Sequence, residues 1–333
     1  MTETALIEVE NLRTAFAVGS QRVEAVRGVS FSIAPGEVFG LIGESGSGKT
    51  VTGLSLLRLL PPHASVTVDA MRFRGQDLTR LSDEEFRALR GIQLAMIFQD
   101  PVGSFNPAKT VAWHLKQAIV RRRTCSGTGE GGRPEVSAHN LPAESAQSLR
   151  EVGIRAPERV LACYPHHLSG GMLQRALIAM VIALRPALII ADEPTTNLDN
   201  LVERQILDLI RDQQRKLGAA VLYVTHDLAV AGDICDRIAV MYAGEIVEMG
   251  PAREVLQRPR HPYAQGLLQT SASLDRRDDY LYELQGEPGM RGAPGGCCFV
   301  ARCPKAMPIC RSTQPRLVDV GTGHVSRCLL HEQ

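Results

Sequence analysis

An α/β fold with parallel strands and crossover helices is predicted for this chain from three features of its sequence. Helical and strand segments alternate from Ser169 onward: a helix over 172–184, a strand over 187–191, a helix over 201–217 and a strand over 220–225. An apolar run over 38–42 enters a glycine-rich loop followed by a helical stretch over 51–60, so a strand, loop, helix unit surrounds the glycines. A length of 333 residues with 44% apolar composition is enough for one large domain and a smaller one, each with its own core.

Each element rests on local chemistry. Residues 6–10 and 29–33 read as strands, the second alternating apolar and polar, and Pro35-Gly36 turns the chain between strands. Pro61-Pro62 stops the helix after the loop, because proline has no N–H and its ring clashes with the preceding turn. Ser82 with Glu85 three residues on is the pattern of a capping box for a short helix ending near Arg90. Residues 94–98 form a buried-strand candidate that delivers Gln99 to its end. The stretch 126–140, rich in Gly, Ser and Thr, interrupts a helical region and predicts a surface loop. In the helix over 201–217, Val202, Ile206, Leu209, Ile210 and Leu217 share one face, and Gly218 is placed to cap it. Residues 286–296, with Pro288 and Pro294, read as a linker into a cysteine-rich end. There is no internal repeat, so one α/β unit is expected and not two in tandem.

Composition excludes several function classes. Lys plus Arg total 37 against 36 for Asp plus Glu, so no strong field draws the chain onto nucleic acid or anionic lipid, and no nucleic-acid partner is expected. The most hydrophobic stretch, 172–191, is broken by Arg175 and Arg185, whereas a membrane span needs about 18 or more uncharged apolar residues. The opening MTETALIEVEN has neither a basic nor an apolar leader segment, so a cytosolic location is expected. Of eight cysteines, five (Cys297, Cys298, Cys303, Cys310 and Cys328) lie near the C-terminal end, and in the cytosol they are expected to be thiols or metal ligands rather than disulfides.

Gly43-Glu44-Ser45-Gly46-Ser47-Gly48-Lys49-Thr50 fits the Walker A pattern. Its glycines let consecutive backbone N–H groups close around phosphate oxygens at a helix start. In that pattern Lys49 reaches the β and γ phosphates and the Thr50 hydroxyl ligates magnesium, while Gly43, Ser45, Gly46 and Gly48 line the cradle. The preceding strand and following helix are the context the motif demands, so nucleotide binding is expected. Leu188-Ile189-Ile190-Ala191-Asp192-Glu193 is an apolar strand ending in two acids. At such an end Asp192 can enter a magnesium shell and Glu193 can polarise an attacking water.

Upstream of those acids lies Leu168-Ser169-Gly170-Gly171-Met172-Leu173-Gln174-Arg175, which is similar to the ABC signature. With it the chain resembles, over essentially its whole length, the ATP-hydrolysing subunits of ATP-binding-cassette (ABC) membrane transporters. The resemblance implies an ABC-type P-loop NTPase core with an antiparallel β subdomain and a helical signature subdomain, plus a small cysteine-rich C-terminal extension. The nucleotide-binding domain would occupy 1–260 and the extension 261–333. It also implies that Ser169 and Gly171 open a helix facing the ATP of a second cassette, and that Gln99, followed by Asp100-Pro101, is the Q-loop residue that senses the γ-phosphate. His226 becomes the switch histidine, and Asp199, within Thr196-Asn197-Leu198-Asp199, the D-loop residue. Glu193, His226 and Gln99 are then the catalytic candidates, with Thr50, Gln99 and Asp192 around Mg2+. Phe16 takes the place of the aromatic residue that stacks on adenine, where a core phenylalanine would look the same. Met172 stands where glutamine is most common in ABC signatures, a substitution familiar in the peptide-transporter branch.

Three further stretches resemble the dipeptide and oligopeptide uptake ATPases: Phe98-Gln99-Asp100-Pro101 with Asn106-Pro107, Tyr164-Pro165-His166, and His261-Pro262-Tyr263. Nickel and metallophore importers share much of this vocabulary. Cys297, Cys303, Cys310 and Cys328 follow C-x5-C-x6-C-x17-C, similar to the cysteine-rich tail of those subunits, and a four-iron four-sulfur cluster is the implied occupant. Zinc, a set of reduced thiols and a redox sensor are the alternatives, and Cys298 competes with Cys297 for one ligand position. The implied partners are a second ABC ATPase subunit forming a heterodimer, two membrane permease subunits and an external solute-binding protein. They place the chain on the cytoplasmic face of a bacterial inner membrane. The other class weighed is a soluble ABC ATPase acting on ribosomes or DNA, against which stand the single cassette and the lack of a long insertion between the Walker motifs.

Overall fold

The computed structural model describes residues 5–126, 140–196, 198–276, 284–292 and 294–332, so the surface loop expected over 126–140 lies, apart from its two end residues, outside the described residues. The chain divides into two compact units, Met1–Thr79 with Leu222–Gln333, and Arg80–Val221.

The first unit opens with a long antiparallel hairpin, β1 (Ile7–Val18) and β2 (Gln21–Ile33). Both strands outrun the stretches that predict them, because their ends next to the turn, Ala17-Val18 and Gln21-Arg22-Val23, are exposed and show no alternation of buried and exposed residues. After the turn at Pro35-Gly36 come β3 (Val38–Ile42), buried throughout, and α1 (Lys49–Leu56). The helix begins two residues before the predicted start and stops early, since Arg58 adopts a left-handed φ of 51° ahead of Pro61-Pro62. Strands β4 (Ala64–Thr67), β5 (Ala70–Phe73) and β6 (Gln76–Asp77) complete an antiparallel sheet of order β2-β1-β5-β6, with β4 also on β1.

The second unit is mainly helical. It runs through α2 (Asp83–Leu89), β7 (Leu94–Ile97), α3 (Val111–Ser126), α4 (Leu141–Glu151), α5 (Pro157–Ala162), α6 (Gly170–Leu184), β8 (Leu188–Asp192) and α7 (Asn200–Leu217). The predicted capping box of α2 is present: the Glu85 N–H donates to Ser82 Oγ and the Ser82 N–H to the Glu85 carboxylate. Helix α7 ends on Gly218 at φ 63°, as its cap requires. Strands β7 and β8 pair in parallel, with Ile97 opposite Ala191.

The chain returns to the first unit within β9 (Ala220–Thr225) and continues through α8 (Leu228–Ile234), β10 (Arg237–Tyr242), β11 (Glu245–Pro251), α9 (Ala252–Gln257), α10 (Pro262–Arg276), β12 (Val318–Gly321) and β13 (His324–Ser326). In this unit the order β12-β13-β11-β10-β3-β9 places β3 beside β10 in parallel register. Gly40 permits helix α8 and β10 to approach β3, because a Cβ there would lie 2.8 Å from Cys235 Sγ and 2.9 Å from Ile238 Cγ2. No helix among the described residues is long and apolar enough to cross a membrane.

One buried carboxylate holds the C-terminal segments to β11. Glu248, 0% exposed, accepts the N–H groups of Arg260 (2.8 Å) and His261 (2.6 Å), and His324 Nε2 lies 2.7 Å from its Oε1. Glu248→Ala strands one buried and one partly buried amide and an imidazole, so a loss of about 3 kcal/mol is expected as a lowered thermal midpoint. Glu254→Ala, at an exposed position of α9, is expected to leave that midpoint unchanged.

Candidate functional site

The glycine-rich loop joins β3 to α1 in the first unit. Gly48 caps α1 at φ 105°, where a Cβ would also lie 2.4 Å from the Ala25 carbonyl; at Gly43 it would lie 2.2 Å from the Met241 carbonyl. Glycine is therefore required at both positions. Lys49 is only 4% exposed, and its Nζ donates to the carbonyls of Gly43 (2.8 Å) and Glu44 (2.9 Å). Ser47 is buried and its Oγ has no hydrogen-bond partner among the described residues, while Ser45 and Gly46 are exposed and Thr50 is half-buried in the first helical turn. A buried ammonium, an orphaned hydroxyl and backbone turns too tight for side chains fit a phosphate group at a helix start.

Two other expected residues belong to this unit. His226 is exposed directly after β9, and Asp227 beyond it caps α8 by accepting the N–H groups of Ala229 (2.7 Å) and Val230 (3.1 Å). Phe16 is half-buried on β1, with its ring 5.9 Å from that of His63.

In the second unit the parallel register decides which acids meet which partners. Gln99 lies two residues beyond Ile97 and Glu193 two beyond Ala191, and the Gln99 Nε2 donates to Glu193 Oε2 at 3.3 Å. The Thr196 hydroxyl donates to the same oxygen at 2.9 Å, a partner that sequence reasoning missed although it stands only three residues from the acid. Asp192 is buried at the end of β8. Glu193 has a left-handed φ of 43°, a conformation that costs a non-glycine residue on the order of 1 kcal/mol or more and clusters at functional sites. Ser169 caps α6 by accepting the Met172 N–H at 3.4 Å, and Asp199 caps α7 by accepting the Val202 N–H at 3.0 Å. The two helix starts are neighbours: a Cβ on Gly171 would lie 3.0 Å from Val202 Cγ1. Asn197 lies outside the described residues.

The cysteine-rich end shows thiols gathered in one region. All eight cysteines are free, and Cys297, Cys310 and Cys328 are buried. The Cys297 N–H donates to the Cys310 carbonyl at 2.8 Å, and charge on Cys297, Cys310 or Cys328 would oppose ionisation of Cys303. Burial pushes Cys303 up to about 11 and raises Cys328, while a hydrogen bond from Cys298 lowers Cys297 and leaves Cys298 raised. Four soft donors suit iron or zinc in kind. Among the described residues, however, no three His, Cys, Asp or Glu groups converge to hold a single metal ion.

Comparison with known proteins gives concordant matches. Residues 26–196 match the family described as "ABC transporter", and residues 247–310 the "Oligopeptide/dipeptide transporter, C-terminal region". The dipeptide transport ATP-binding protein DppD of Bacillus subtilis (strain 168) is 42% identical over 330 residues, covering 98% of this chain and 95% of the relative. DppD of Escherichia coli (strain K12) is 41% identical, with coverage of 97% and 96%. Among solved structures, the dimeric bacterial ABC transporter cassette MJ0796 superposes with a TM-score of 0.63 at 25% identity, covering 74% of this chain and 99% of that one. The same cassette in a post-hydrolysis state bound to ADP and Pi gives a TM-score of 0.60 at 25% identity, again covering 74% and 99%.

Proposed function

The chain belongs to the ABC transporter ATP-binding family and is an ABC-type ATPase, and from that premise we propose that its hydrolysis of ATP powers import of di- or oligopeptides through a membrane transporter. The observation that carries the peptide assignment is the reach of the likeness: it extends past the cassette into the C-terminal region that holds His261-Pro262-Tyr263. We divide the chain into a nucleotide-binding domain over 1–260 and an extension over 261–333.

In this reading Lys49 and the loop amides of Gly43, Ser45, Gly46 and Gly48 take the phosphates, and Phe16 stacks on adenine. Thr50, Asp192 and Gln99 serve magnesium. Glu193 polarises the attacking water, oriented by Gln99 and Thr196, and His226 supports the γ-phosphate as it leaves. Ser169, Gly171 and Asp199 act on the nucleotide of a second ATPase subunit in a heterodimer. ATP favours the closed pair of cassettes and hydrolysis lets them part, which drives two permease subunits supplied by an external solute-binding protein. The chain then sits peripherally on the cytoplasmic face of the membrane. The finer reading of the extension is that Cys297, Cys303, Cys310 and Cys328 hold a four-iron four-sulfur cluster, which when bound cross-links a region poor in regular elements.

One preparation tests these assignments. Affinity-tagged full-length chain, solubilised anaerobically from membranes, is expected to bring down two polytopic subunits, and vesicles carrying the complex and its binding protein are expected to take up a labelled dipeptide only with ATP. Uptake of a nickel chelate instead would replace the peptide reading, and isolation without membrane subunits would remove the transport reading. Iron and acid-labile sulfide near four each per chain are expected in the same material. A colourless, iron-free protein would remove the cluster alone.

A further inference from the structure

The second residue of the glycine-rich loop is gripped by the C-terminal region. The Glu44 N–H donates to the Tyr263 hydroxyl at 3.0 Å. The Glu44 carboxylate accepts a two-pronged contact from Arg302, Nη1 to Oε2 at 2.6 Å and Nη2 to Oε1 at 3.0 Å. Such fork-to-fork pairing fixes direction as well as distance, and it is sheltered here, with the Arg302 side chain 1% exposed and that of Glu44 21%.

Both gripping residues are themselves held in place. The Arg302 Nε donates to the Gln285 carbonyl at 3.0 Å, and its guanidinium lies 5.7 Å from the centre of the Tyr242 ring. Tyr263 is fully buried between Tyr242 and Phe299, at ring separations of 4.7 and 5.3 Å. The grip continues into the loop, because the Glu44 carbonyl is one of the two oxygens that Lys49 Nζ holds. One residue therefore has its N–H and carboxylate fixed by the C-terminal region and its carbonyl fixed by the lysine of the loop.

We infer that Tyr263 and Arg302 are positioning residues for the nucleotide phosphates, holding Glu44 so that the loop keeps the shape that receives ATP. The inference rests on the reading of residues 43–50 as the ATP site and extends it. Arg302 lies in Cys298-Phe299-Val300-Ala301-Arg302-Cys303, so the seating of the cysteine-bearing segment sets nucleotide affinity. Neither residue touches the substrate in this scheme; each acts through Glu44 by limiting the conformations the loop explores before ATP arrives.

The test is equilibrium binding of a fluorescent ATP analogue to the full-length chain, together with kcat and KM for ATP. Arg302→Gln, Glu44→Gln and Tyr263→Phe are each expected to raise Kd and KM about tenfold with kcat within about twofold, a split that general loss of structure would not give. The double variant Glu44→Gln/Arg302→Gln is expected to be no weaker than the worse single variant, because the pair acts as a unit. Arg302→Lys, which keeps the charge without the fork, is expected to recover part of the affinity. Should Arg302→Gln fail to fold, Tyr263→Phe removes one oxygen from a packed ring and carries the test. Wild-type affinity in Tyr263→Phe and Arg302→Gln would overturn the inference. Lys49→Ala measured in parallel separates the two readings: loss of binding there with full binding in the other variants sinks this inference alone, whereas full binding in Lys49→Ala sinks the ATP site and this inference with it.

Discussion

Glu193→Gln is expected to cut ATP turnover by about a hundredfold to ten-thousandfold while the nucleotide still binds. The substitution preserves size and, at φ 43°, the strained backbone, so what it removes is the negative charge on which the proposed activation of water depends. In the carboxylate Oε2 is already the acceptor for Gln99 Nε2 and Thr196 Oγ1 at 3.3 and 2.9 Å. Two donors on one carboxylate oxygen orient the group. Single-turnover phosphate release measures the loss, and binding of a fluorescent ATP analogue measures what is retained. Full turnover in the variant would take Glu193 out of the chemistry.

Lys49→Ala is expected to weaken ATP binding by at least about a hundredfold, because a buried ammonium can make two charge-assisted hydrogen bonds to phosphate oxygens at once. Lys49 is already desolvated at 4% exposure, and the carbonyls of Gly43 and Glu44 hold its Nζ at the mouth of the loop. The check is thermal: ATP raises the unfolding midpoint of a protein that binds it, and that rise is expected to vanish in the variant. An undiminished rise would mean that the loop is not where the phosphates sit.

The parts legible in the sequence were those written in consecutive residues. The loop glycines, the capping box of α2, the apolar stripe of α7 and its Gly218 cap all depend on neighbours within a few positions, and each lies where local chemistry puts it. Strands β1 and β2 were caught only in part, since their exposed ends are held by hairpin pairing, which a search for buried alternation passes over. Strands β10 and β11 are buried on both faces for most of their length and show no alternation to mark them. Gln99, Asp192 and Glu193 stood out in the sequence as site candidates, but the contact between Gln99 and Glu193, 94 residues apart, depends on the register of two parallel strands. The grip of Arg302 on Glu44 spans 258 residues and leaves no local trace. The cysteine spacing was visible too, whereas the burial of Cys297, Cys310 and Cys328 is a matter of tertiary packing.

The dependence of Glu248 on His324 bears on the order in which a ribosome delivers this protein. Residues 80–221 are contiguous and can fold as they emerge, but β1 to β6 belong with segments made more than a hundred residues later. The carboxylate of Glu248 finds its imidazole only after the chain has run 76 residues further, to His324. The helical unit, 80–221, is therefore complete in the chain before the other unit can close on its buried carboxylate.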